Sequence, residues 1–117
     1  MQKEQDMVRN FVLDRPTLAE NNNNHKRMAE LLQEEVSEVI EVLDNPELLA
    51  SELVDVVWFV LTIANLNDID MEEAFKEKAA LNHLRYQAHL FQDGDYWEAR
   101  AKVKAEEPEV LREFYSD

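Results

Sequence analysis

Cysteine is absent from this chain of 117 residues, glycine occurs once and proline three times. Without thiols there is no disulfide framework and no thiolate metal site, which fits a reducing compartment. So few glycines and prolines leave few tight turns and few helix breakers, so an all-helical chain is the natural reading. Positive charge is scarce too: 12 Lys and Arg stand against 26 Asp and Glu, a net charge of −14. That balance argues against nucleic acid and against anionic membrane surfaces, both of which need clustered cations. An anionic small molecule is admissible where metal ions and a local basic patch offset the repulsion. The opening stretch MQKEQDMVRN is polar and lacks the apolar core of a secretion signal, so a cytoplasmic location is expected.

Hydrophobic residues make up 45% of the chain, enough for one core, and the length predicts a single domain over residues 1–117. The longest apolar run, Leu48 to Leu66, has about the length of a membrane span, but Glu52 and Asp55 oppose insertion and acidic residues flank it. It reads as a buried helix of a soluble bundle. Because it is apolar nearly all round, one helical hairpin could not cover it, and burial at an interface in a homodimer or homotetramer is expected.

Helical spacing recurs along the chain. Met7, Val8, Phe11 and Val12 mark a first helix over residues 4–13, ended by Arg15-Pro16, and the tract Asn21 to Asn24 reads as a loop whose last residues can cap the next helix. Lys26 to Leu43 is amphipathic. Asn45-Pro46 then reads as an N-cap with proline at the first helical position, and Asp70 with Glu73 opens a helix reaching about Gln87. Beyond Gly94, a helix from Tyr96 to Lys104 is expected, then Pro108 and a short final turn or helix to Tyr115.

The chemistry lies in the acids. On a helical wheel Glu35 falls inside the stripe of Met28, Leu32, Val39 and Val42, with Glu38 at its edge. Glu52 and Asp55 repeat the three-residue spacing on the next helix, which a short link should fold back antiparallel. Four converging carboxylates repel one another unless a hard cation lies between them, and Mg²⁺ takes oxygen ligands of this kind. A ferritin-like di-iron site would need Glu-x-x-His, and none of His25, His83 and His89 has Glu three residues before it.

The runs LLQEEVSEVIEVL, SELVDVVWFVL and NDIDMEEAFKEKAALNHLRY resemble the MazG-like, all-alpha nucleoside triphosphate pyrophosphohydrolase superfamily, whose signature is Glu-Glu-x-x-Glu followed by Glu-x-x-Asp. The resemblance covers roughly Met28 to Tyr86. It implies an antiparallel helical bundle completed by oligomerisation, with a family core at about 26–87 and a C-terminal extension at about 94–117. It also implies that Glu35, Glu38, Glu52 and Asp55 hold Mg²⁺, or Mn²⁺ in its place, and that Glu34, Glu35 and Glu38 supply the acid that orients or deprotonates water. Lys78, Asn82 and Arg85 match the Lys-x-x-x-Asn-x-x-Arg pattern that implies phosphate contacts. Their spacing puts them on one face, the basic patch an acidic chain requires.

Trp58 and Phe59 are more naturally core than nucleobase pocket, and His25 and Lys26 more naturally surface than ligand. The expected activity is hydrolysis of a nucleotide at its α-phosphorus, releasing a monophosphate and pyrophosphate, with non-standard nucleotides as a possible substrate class. A non-enzymatic helical module that binds a nucleotide or protein is the alternative. Pyrophosphate release dependent on Mg²⁺ distinguishes the two.

Overall fold

Six α-helices and one 3-10 turn account for the ordered backbone in the computed structural model, which describes residues 1–116: α1 (Gln2–Leu13), α2 (Pro16–Asn22), α3 (His25–Glu41), α4 (Pro46–Leu66), α5 (Met71–Arg85), the turn Ala88–Leu90 and α6 (Tyr96–Phe114). There is no strand among the described residues, and the fold is all-α as the composition implied. None of these helices is long and apolar enough to cross a membrane.

Short polar side chains take up the free N–H groups of the first turns. Asn24 Oδ1 accepts from Arg27 N at 3.0 Å to open α3, and Asn45 Oδ1 accepts from Leu48 N at 3.4 Å to open α4 with Pro46 just inside. Asp70 Oδ1 accepts from Glu72 N at 3.1 Å, and Asp95 Oδ1 accepts from Trp97 N at 2.7 Å. At its other end, α4 stops where Asp68 adopts a left-handed φ of 54°.

Two segments depart from the sequence reading. Asn21 and Asn22 are helical, so only Asn23 and Asn24 form the turn. Pro16 begins α2 at a position whose N–H needs no partner, and the half-buried Leu18 and Ala19 and the buried Asn22 give this short helix an inward face. Likewise α6 does not stop at Lys104 but runs through Pro108 to Phe114. Ala99 and Val103 are buried and Glu107, Val110 and Phe114 half-buried, one stripe at helical spacing across the proline, while Pro108 itself faces solvent. Packing of that stripe outweighs the lost N–H.

The chain divides into two compact units, residues 1–72 and residues from Glu73 onward. In the first, α3 packs on α4, α1 lies against α4, and α2 bridges α1 and α3. Val8, Met28, Leu61 and Ala64 form its buried apolar centre. Trp58 is half-buried and meets Phe11 edge to face with centroids 5.1 Å apart, so it serves the α1–α4 contact. In the second unit Leu81, Ala99 and Val103 are buried.

Gln5 is the polar fastener of the first unit, and nothing in its local sequence announces it. It is 1% exposed; its Nε2 donates to Asn65 Oδ1 at 2.9 Å and to the Ile69 carbonyl at 2.6 Å, and its Oε1 accepts from Met71 N at 2.9 Å. One side chain thereby ties α1 to the α4–α5 connection. Replacing it by methionine of similar shape strands those backbone groups, so Gln5→Met should cost about 2–3 kcal/mol in urea unfolding, against under about 0.5 kcal/mol for an exposed control such as Gln33→Met.

Candidate metal centre

The α3 stripe is apolar apart from one member. Met28 is buried and Leu31, Leu32, Val39 and Val42 are half-buried, and Glu35 shares their face and their depth. On α4, Glu52 holds the equivalent place among the half-buried Leu49, Val56 and Ile63. Three residues further along their own helices, Glu38 and Asp55 are exposed. The link of residues 42–45, closed by a hydrogen bond from Asn45 N to the Val42 carbonyl at 2.9 Å, returns the chain along α3.

The result is a cluster in which one carboxylate oxygen each from Glu35, Glu38, Glu52 and Asp55 lies within 4.8 Å of the others. The four acids expected from spacing alone are the four brought together. Oε2 of Glu35 and Oε2 of Glu52 are buried and accept no hydrogen bond. Burial first, and then the neighbouring Glu38, Asp55 and Glu52 carboxyls, push the pKa of Glu35 up to about 7. Glu52 is also raised, chiefly by a proton-sharing contact with Glu38 and then by desolvation. Two orphaned carboxyl oxygens beside two further carboxyls form an all-oxygen donor set. A hard divalent cation fits that set.

Glu34 is exposed on α3 and is not one of the four. Lys78, Asn82 and Arg85 lie on α5 in the second unit. Lys78 is exposed beside Ala74, Glu77 and Tyr115. Asn82 is half-buried and its Oδ1 accepts from Arg85 Nη1 at 3.3 Å. Arg85 is not a free surface cation: its side chain is 8% exposed and its Nη2 pairs with Glu107 Oε1 at 2.9 Å. Sequence reasoning did not find Glu107. The signal lay in the α6 stripe, where an acid occupies the inward position after Ala99 and Val103. His25 and Lys26 are exposed, as expected of surface residues.

The helical hairpin brings Glu35 and Glu38 of Glu-Glu-x-x-Glu together with Glu52 and Asp55 of Glu-x-x-Asp, an all-α acidic site. The MazG nucleotide pyrophosphohydrolase domain matches residues 23–86, more than half of the chain, and the protein belongs to that family. No curated protein and no solved structure matches it.

The raised carboxyls set a pH dependence for the metal-free protein. Their folded pKa values exceed the ordinary value of 4.5, so their contribution to stability is complete below that pH and is lost as pH rises, for Glu35 through about 7. The melting temperature without metal should therefore fall between pH 5 and pH 7.5, and Mg²⁺ or Glu35→Gln should flatten the slope. A slope unaffected by either would remove the cluster as its cause.

Proposed function

We propose that this protein hydrolyses a nucleoside triphosphate to the monophosphate and pyrophosphate with the help of Mg²⁺, in the cytoplasm, and that its substrates are non-standard nucleotides. The observation that carries this reading is the convergence of Glu35, Glu38, Glu52 and Asp55 within a MazG domain. These four residues would hold the ion, with Mn²⁺ a workable substitute. A divalent cation bound there withdraws charge from phosphate oxygens and acidifies water.

The remaining work falls to the chain's own groups. A water oxygen bonds to the α-phosphorus, its proton passes to a carboxylate of α3, and the bond to the bridging oxygen of the pyrophosphate breaks. Glu38 is exposed beside the half-buried Glu35, and Glu34 is exposed on the same helix, so these three supply the water-orienting and proton-accepting acids. Lys78, Asn82 and Arg85 supply the donors for phosphate oxygens, offsetting the charge of the leaving group.

Glu38→Gln should lower kcat by at least ~100-fold with little change in nucleotide binding, the scale of losing an acid-base or electrostatic group. Lys78→Ala should raise KM as well, because it also meets the ground-state triphosphate. Phosphorus NMR should show a monophosphate and pyrophosphate. Orthophosphate, or no turnover of a panel of standard and modified nucleotides with Mg²⁺ or Mn²⁺, would instead favour a binding module.

The same reading includes a homodimer or homotetramer. On α4, Leu53, Val54 and Val57 are 47%, 58% and 43% exposed, and with Met7 and Trp58 they line an apolar groove of about 320 Å³. Faces of this kind are covered in stable proteins. Light scattering over a dilution series should show a multiple of the 13.8 kDa chain at micromolar concentration; a folded monomer would overturn it.

A further inference from the structure

The second unit holds a contact that the hydrolytic reading leaves unexplained. Arg85 is the last member of the Lys-x-x-x-Asn-x-x-Arg pattern and lies one residue before the end of the family domain match. Glu107, its ion-pair partner, belongs to α6 and lies outside that match. A residue from the C-terminal helix thus occupies the guanidinium assigned to phosphate.

The pairing is incomplete in an informative way. Nη2 lies on the same edge of a guanidinium as Nε, and that edge is the fork that grips a carboxylate or phosphate through two parallel hydrogen bonds. Here Nη2 donates to Glu107 Oε1 at 2.9 Å, while Nε is buried and donates to nothing. The other carboxylate oxygen, Oε2, lies 3.8 Å from Lys104 Nζ instead. Asn82 takes one hydrogen of Nη1 at 3.3 Å, and the Tyr86 ring lies 5.2 Å from Cζ, which leaves the Nε–Nη2 edge as the half-filled one. A phosphate group, with three acceptor oxygens, can fill both positions where Glu107 fills one.

We infer that Glu107 is a displaceable stand-in for substrate phosphate, so that α6 acts as an intramolecular latch on Arg85 that triphosphate binding must open. This rests on the reading that Arg85 receives phosphate. Since Arg85 is 92% covered while the latch is closed, it contributes to affinity only after Glu107 withdraws. The apparent affinity is then reduced by the fraction of molecules in the closed state.

Tripolyphosphate with Mg²⁺ is the probe, because it carries the anionic chemistry common to all triphosphates whatever the base. In the wild-type protein, saturation with it should speed amide hydrogen exchange over residues 104–114 of α6. Unchanged or slower exchange there overturns the latch, and this measurement needs no variant. In calorimetry, Glu107→Gln should bind the probe at least about threefold more tightly than wild type, because a neutral amide competes less well for a cation. Equal or weaker binding overturns the proposal. Arg85→Ala separates the two layers of the argument: if it binds like wild type, Arg85 is not a phosphate ligand and the latch falls with that role. If it binds more weakly while Glu107→Gln gains nothing, the phosphate role stands and the latch alone is refuted.

Discussion

Repulsion among four carboxylates at the α3–α4 seam is the constraint to which the rest of the first unit answers. An apolar hairpin gains by burying its stripe, yet Glu35 and Glu52 occupy positions that aliphatic residues would fill more favourably, and each leaves an oxygen without a donor. Among the described residues the charged neighbours of Glu35 and Glu52 are the other acids of the cluster, and no lysine or arginine offsets them. The stability that permits such a seam comes from around it: the buried Met28 and Leu61, the caps at Asn24 and Asn45, and the Gln5 network that fixes α1 against the end of α4.

How much of this could be read from sequence follows from the range of each signal. The acidic pairs were legible because both spacings are local and the link between their helices is short enough to force the partners together. Caps were legible for the same reason, since an Asn or Asp and the N–H it satisfies are two or three residues apart. Gln5 was not: its partners Asn65, Ile69 and Met71 lie some sixty residues away, and a glutamine beside Glu4 and Asp6 looks like any solvated face. Pro108 misled in the opposite direction, because a local helix breaker was outweighed by a stripe that continues on both sides of it. The exposed sides of α4 were foreseen from its nearly uniform hydrophobicity.

Arg85 shows how one motif position can serve two demands. A buried guanidinium must not remain uncompensated, and Glu107 supplies the compensation from a helix outside the family domain match. Lys104 adds a second cation on the same helix as that glutamate, so the carboxylate is shared and its hold on Arg85 is one-handed. The second unit thereby links the last residues of the family match to a helix outside it.

The short link between α3 and α4 has one more consequence, for the order of events in folding. Every acid of the cluster falls between residues 35 and 55, within a single hairpin, and Glu35 and Glu52 each stand seven residues from the ends of the link at Val42 and Asn45. Contacts this local close with little loss of chain entropy and form early. The site therefore arises with the hairpin, before the long-range ties from Gln5 can form, and a cation present at that moment is drawn to the hairpin's own charge. A cation bound there would act as a template for the chain that folds around it.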